Sequence, residues 1–204
     1  MTTSAPASRD EAAVATLGVL AAACPSGKVG LMGSMAQPGA ADDYSDIDIV
    51  WIIPPDGARG LLSALRRTLE QVGMVESLRV DPRERPGFLL VFVRFGGWPL
   101  WWRVDLEVHS AGVEGMSIEG ADPWTEAESA CMGVVVTLKA LARQRPAQAE
   151  ILFGQALRRV DGVDVDGDWR LRIDSVLDHL DARSPSSTGL VARTRQLSHD
   201  VLGR

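Results

Sequence analysis

The chain has 204 residues, 46% of them hydrophobic and 24% charged, and a net charge of −6. That length suits one large domain or two small ones and buries roughly 70% of the unfolded surface, so neither a disulfide nor a structural metal is needed for folding. No run approaches the roughly 20 apolar residues of a membrane span, Cys24 and Cys131 make no disulfide framework or Cys/His zinc pattern, and the acidic balance argues against a nucleic-acid partner.

Residues 1 to 10 read as a disordered lead without a basic-then-apolar signal pattern, so a cytoplasmic location is expected. Residues 11 to 23 are Ala-rich and helix-prone, and Pro25-Ser26-Gly27 stops them. A short strand is expected over 29 to 32, ending at Gly33-Ser34. Residues 35 to 45 read as a loop with room for one helical turn. The β-branched run 47 to 53, closed by Pro54-Pro55, predicts a buried strand. Apolar residues at 61, 62, 65, 69 and 72 predict a helix. Strands follow over 75 to 80, 88 to 95 and 100 to 108, the last two pairing across Gly96-Gly97-Trp98-Pro99. Residues 110 to 123 look like a Gly-rich linker. Helices are expected over 124 to 143, 146 to 160, 169 to 181 and 188 to 202, with an acidic turn over 161 to 168. The texture changes after His109, which predicts an α/β (α+β) mixed-sheet domain over 1 to 115 and a helical C-terminal domain over 116 to 204.

The chemistry concentrates in Gly33-Ser34, an eleven-residue gap, and Asp46-Ile47-Asp48-Ile49. Strand side chains alternate, so Asp46 and Asp48 share one face and the isoleucines the other. Two carboxylates set this way repel unless a cation lies between them, and oxygen ligands of this kind suit Mg²⁺. Gly33 lets the backbone approach an anion and Ser34 offers a donor. Farther on, alternation places Arg103, Asp105 and Glu107 on one face. Asp105 either joins Asp46 and Asp48 around one or two divalent ions or forms a salt bridge to Arg94 or Arg103.

These elements resemble the signature of the DNA polymerase β-like nucleotidyltransferase superfamily over roughly residues 27 to 110. The strings Gly33-Ser34-Met35-Ala36-Gln37-Pro38-Gly39 and Tyr44-Ser45-Asp46-Ile47-Asp48-Ile49 are similar to its small-substrate branch, which includes aminoglycoside and lincosamide nucleotidyltransferases. The resemblance implies a nucleotidyltransferase-type mixed sheet, an NTP substrate and Mg²⁺. It makes Asp46, Asp48 and Asp105 metal ligands, with Gly33 and Ser34 holding the triphosphate. The implied reaction moves a nucleoside monophosphate, AMP from ATP being favoured, to the hydroxyl of a small antibiotic-like acceptor. A cationic acceptor matches the acidic charge, and a homodimer stays open. Protein nucleotidylation, as in small antitoxin-like enzymes, and a non-catalytic NTP-binding module are the alternatives.

The proton acceptor is open among Asp105, Glu107, Glu126 and Glu128. In some aminoglycoside enzymes a helical-domain glutamate lies one turn before a lysine; here Val135 stands four residues before Lys139, a departure from that pattern. Only Lys28 and Lys139 are lysine among 21 basic residues, which singles out Lys139 as a candidate phosphate contact. Trp98, Trp101 and Trp102 read mostly as packing, with Trp101 alone expected on the Asp105 face. His109 reads as structural or solvated, and Asp161, Asp164, Asp166 and Asp168 as an acidic turn without an EF-hand ligand order.

Overall fold

A computed structural model describes residues 6–83, 85–160, 163, 165–184 and 188–203. Asp161 and Asp164, part of the expected acidic turn, lie outside them. The chain divides into two units, Met1–Pro123 and Trp124–Arg204. Among the described residues no helix is long and apolar enough to cross a membrane.

The first unit is a five-stranded mixed sheet with helices on one face. Helix α1 (Arg9–Ala23) begins two residues before the predicted start, because Ser8 caps it. The Ser8 hydroxyl accepts from the Glu11 amide at 3.1 Å, and the Glu11 carboxylate accepts from the Ala7 amide at 2.8 Å. This reciprocal arrangement resembles a capping box, so the helical start extends into the stretch expected to be disordered. Strand β1 (Lys28–Leu31) leads through a 3₁₀ turn at Gly33–Ala36 and a loop to β2 (Ile47–Ile52).

The predicted helix over 61 to 72 is two short pieces, α2 (Ala58–Ser63) and α3 (Leu65–Leu69). The break sits at Ala64 (φ −94°, ψ −4°), which closes α2 and opens α3. The Ser63 hydroxyl donates to the Gly60 carbonyl at 3.0 Å, a back-bond that bends helices. Strands β3 (Val75–Val80) and β4 (Phe88–Phe95) follow, as the β-branched runs predict. The expected strand over 100 to 108 starts late. Pro99 opens a 3₁₀ turn over Leu100–Trp102, and β5 (Val104–His109) begins after it.

The sheet order is β1-β2-β5-β4-β3. Strands β2 and β5 run parallel, and every other neighbouring pair is antiparallel. Alternation divides the two faces. Ile47, Ile49, Trp51, Leu78, Val91, Val93, Val104, Leu106 and Val108 are buried against α1, α2 and α3. The opposite face carries Asp48, Val50, Ile52, Phe92, Leu90, Asp105, Glu107 and His109, half-buried or exposed. Residues 110–123, expected as a linker, pack onto this unit: Ile118 is in its core. The Asp122 carboxylate accepts from the Leu78 amide and from Arg66, both at 2.7 Å.

The second unit contains α4 (Glu126–Ala142), α5 (Pro146–Leu157), α6 (Trp169–Arg183) and α7 (Thr188–Leu202). Thr125 caps α4, Pro146 opens α5 and Asp168 caps α6, so local signals match the helix starts. Helix α4 packs against the other three. At its crossing with α5, a Cβ on Gly133 would lie 2.7 Å from the Ala156 Cβ. Gly133→Ala is therefore expected to destabilise this unit by about 1 kcal/mol, overpacking outweighing the gain in helix propensity. Thermal denaturation checks this, and a higher transition temperature would count against it.

Candidate active site

The loop before β2 is built around Asp42. Its carboxylate accepts from the Tyr44 amide at 3.1 Å and from the Ser45 hydroxyl at 3.0 Å, while Ser45 Oγ accepts from the Asp42 amide at 3.1 Å. Such a turn substitutes side-chain bonds for backbone ones. Arg9 on α1 donates to the Asp42 carbonyl and, at 3.5 Å, to the Ser45 carbonyl. The loop is thus fastened at both layers and delivers Asp46 to the head of β2.

Asp48 is the second residue of β2. In the parallel register it lies beside Asp105, as Ile47 lies beside Val104. Neighbouring strands are about 4.8 Å apart, so two carboxylates project side by side from one face. The Ile47 amide donates to the Arg103 carbonyl at 2.9 Å, which locks the start of this pairing. Gly33 has φ +55°, and a Cβ there would collide with the Asp48 carboxylate. The amide of Met32 donates to the Asp48 carbonyl at 2.8 Å. Gly33, Ser34, Asp46, Asp48 and Asp105, all predicted from sequence, are therefore assembled at one end of the parallel pair.

A cation of the chain's own stands among these acids. Arg103 Nε donates to Asp105 Oδ1 and its NH2 group to Oδ2, each at 2.6 Å, a two-pronged fork. The guanidinium carbon also lies 4.9 Å from the centre of the Phe92 ring. Burial works against the Arg103 charge. The charges of Asp105 and Asp46, the hydrogen bonds to Asp105 and the charge of Asp48 more than offset it and hold the guanidinium above its ordinary range. Of the two partners foreseen for Asp105, Arg103 forms this fork. Arg94 lies 4.0 Å from Glu76.

Among the described residues no three His, Cys, Asp or Glu side chains are set as a metal cluster. The donor set nonetheless suits a hard divalent ion: all oxygen, negatively charged, gathered around one positive group and backed by a glycine with no side chain to intrude. Gly33→Ala tests the cradle. A left-handed φ and the collision with Asp48 together predict a loss of about 1–3 kcal/mol of stability, read by thermal denaturation.

Glu107 keeps to the Asp105 face, two residues on, beside Val50 of β2 and Leu90 of β4. Its Oε2 lies 3.3 Å from Nε2 of His109. Glu126 and Glu128 are on the first turn of α4 in the second unit, and Glu126 lies 3.9 Å from Arg159. Lys139, on the same helix, is only 4% exposed. Alternation predicts Trp101 on the Asp105 face. The 3₁₀ turn takes it out of β5, so alternation does not govern it, and its ring packs edge-on against Tyr44 at 5.3 Å. Trp98 is buried and stacks on Phe95 at 4.1 Å. The positioning roles of Arg9, Asp42 and Ser45 were missed in sequence. An Asp three residues before a Ser in a loop of small and turn residues was the available signal.

No family model and no curated protein matches the chain. Among solved structures it is similar to an aminoglycoside 6-adenyltransferase from Bacillus subtilis, at 10% identity and a TM-score of 0.36, over 97% of this chain and 92% of that one. It is also similar to the polymerase core of TRAMP, an RNA surveillance complex, at 14% identity and a TM-score of 0.38, over 67% and 41% of the two chains. A third similarity is to terminal uridylyl transferase 4 from Trypanosoma brucei, at 16% identity and a TM-score of 0.32, over 78% and 57%. The chain spans less than two thirds of the length of the last two.

Proposed function

We propose that this protein transfers a nucleoside monophosphate, AMP from ATP being favoured, to a hydroxyl of a small cationic acceptor of the aminoglycoside or lincosamide type. The observation that carries the reading is the gathering of Asp46, Asp48 and Asp105 around one positive charge beside Gly33. The sequence motif points to the same superfamily, independently of that geometry. A cytoplasmic enzyme that confers antibiotic resistance follows from this reading.

Asp46, Asp48 and Asp105 would hold Mg²⁺, which when bound neutralises a triphosphate and favours in-line displacement at phosphorus. Gly33 leaves its backbone bare for the triphosphate, and the Ser34 hydroxyl donates to it. Asp105 or Glu107 takes the proton of the attacking acceptor hydroxyl as the new P–O bond forms and pyrophosphate departs. Arg103 holds the Asp105 carboxylate in one orientation until then.

Incubation with Mg²⁺, labelled ATP and a panel of aminoglycosides and lincosamides tests the assignment. Transfer of label from the α-phosphate to an acceptor is the expected outcome. Label appearing only on a protein would favour the antitoxin-like alternative. Nucleotide binding without turnover on any acceptor would favour a binding module, whose structural argument is the fork that Arg103 places on Asp105.

A further inference from the structure

The two edges of the sheet differ. At the β3 edge the Leu78 amide donates to the Asp122 carboxylate and the Leu78 carbonyl accepts from the Asp122 amide, both at 2.7 Å. A returning segment thus closes that edge, as native sheets require. The β1 edge has no such backbone cover among the described residues. Its ladder to β2 continues through the Met32 amide, which donates to the Asp48 carbonyl. Bonds alternate along an antiparallel pair, so Lys28, Gly30 and Met32 bond to β2, while the amides and carbonyls of Val29 and Leu31 point outward.

The helix above this edge is open as well. Val14, Ala15, Gly18, Ala21 and Ala22 form the exposed side of α1, Val14 at 68%. A surface helix ordinarily carries charge on that side. Between Ala12 and Ala41 the only charged residue is Lys28. The net charge of −6 makes copies of the chain repel, and this face is where that repulsion is absent.

The open groups fit a second copy. Antiparallel pairing centred on Gly30 sets Val29 against Leu31 of the partner copy and Leu31 against its Val29, each pair exchanging two backbone bonds across a twofold axis. Gly30 meets its counterpart at the axis, with Cα atoms about 4.5 Å apart. Gly30 has no positive φ, and a Cβ there would touch nothing in its own chain. A strand glycine of this kind marks the close approach of another backbone. Helix α1 packs over both β1 and β2. Its axis therefore lies about one strand spacing from the twofold axis and about 10 Å from its copy, the separation of packed helices. An extended peptide could add to β1 but would leave the α1 face bare. The contact is about 20 Å long and two layers deep and covers about 400 Å² of each copy. That is half of the roughly 800 Å² per partner in a standard interface, so the dimer is reversible rather than permanent.

The same register reaches the acids. Lys28 of the partner copy stands opposite Met32, about 4.5 Å away between Cα atoms, on the face that carries Asp48 and next to Gly33 and Ser34. The chain's own Lys28 is five residues of strand, about 16 Å, from Gly33, beyond the reach of its stem.

We propose that a second copy of this chain pairs along β1, with α1 packed on α1, and lends its Lys28 to the triphosphate site at Gly33 and Ser34. The Lys28 contact rests on the nucleotidyl-transfer reading above; the pairing does not. Sedimentation velocity of the full chain over about a hundredfold range of concentration, without nucleotide or Mg²⁺, reads the pairing. Wild type passes reversibly from monomer to dimer. Val29→Pro removes one outward amide and leaves the β1–β2 bonds intact, a change that edge strands accept. Val14→Glu charges the exposed side of α1 and keeps a good helix former there. Each weakens the dimer by about tenfold or more, and circular dichroism of the monomer is unchanged. Ile151→Glu, an equal change at an exposed position of α5, leaves the dimer as in wild type. A monomer at every concentration, or a dimer indifferent to both variants, overturns the proposal. Calorimetric titration with ATP and Mg²⁺ reads the Lys28 contact. Lys28→Gln keeps the dimer and weakens ATP binding by about tenfold, the loss of one charged contact. Val29→Pro and Val14→Glu weaken it as much, although their own Lys28 is intact. Undiminished ATP binding in these monomers overturns the shared site. No ATP binding by wild type overturns the nucleotidyl-transfer reading and leaves the pairing to the sedimentation result.

Discussion

Asp105→Asn is expected to reduce nucleotidyl transfer by on the order of a thousandfold or more while the chain still folds. The substitution keeps the shape and removes one of three negative groups. If Asp105 helps to hold a divalent ion, several kcal/mol of transition-state charge stabilisation go with it, and each 1.36 kcal/mol is tenfold in rate. The fold survives because Val104 and Leu106, which anchor β5 in the core, are untouched, and because Asp46 and Asp48 still face Arg103. Labelled-ATP turnover and circular dichroism measure the two halves of this expectation. Undiminished transfer in the variant would remove Asp105 from the site, and with it the three-acid model. The same change at Glu107, to glutamine, separates the candidate bases. An unchanged kcat in that variant removes Glu107 as the proton acceptor.

Arg103→Gln has the second large effect, and it falls on stability. The guanidinium is the positive group among three acids, and its removal leaves Asp46, Asp48 and Asp105 facing one another. Breaking a buried pair by deleting one partner costs about 3–5 kcal/mol, and the lower value is expected because the Arg103 and Asp105 side chains keep 18% and 19% exposure. That corresponds to a fall of roughly 10 °C in the melting transition of the first unit. Mg²⁺ should reverse much of it. A divalent ion substitutes for the lost charge in the variant, whereas in wild type it competes with Arg103 for the same carboxylate oxygens. Denaturation with and without Mg²⁺ therefore gives a larger ion-dependent rise in Arg103→Gln than in wild type. Equal rises would mean that the acids do not share one cation site.

The three aspartates were legible because strand alternation is a fixed geometry. Ile47, Ile49, Val104 and Leu106 had to face the core, which left Asp48 and Asp105 no other side. Their pairing across a parallel register was legible only through the motif, since nothing local specifies which strands become neighbours. Arg103 was harder. Its side chain could be placed near Asp105, but the two-pronged fork was legible only with β5 beginning at Val104, after the turn opened by Pro99. The same turn displaced Trp101, which alternation alone would have kept on the strand. Ser8 and Glu11 carried a helix-start signal that the polar composition around them obscured.

The parallel pairing of β2 with β5 also sets an order of assembly. Strands β4 and β5 follow each other and can pair early through a short connection, whereas β2 must wait for α2, α3, β3 and β4 to be laid down before β5 can join it. The acids are divided across that late seam, Asp46 and Asp48 on one side and Asp105 on the other. A partly folded chain can therefore have a formed hairpin and a partial core yet lack any anionic centre. During refolding, the ability to take up a divalent ion should appear only with the final closure of the sheet, which makes ion uptake a kinetic marker for the last step.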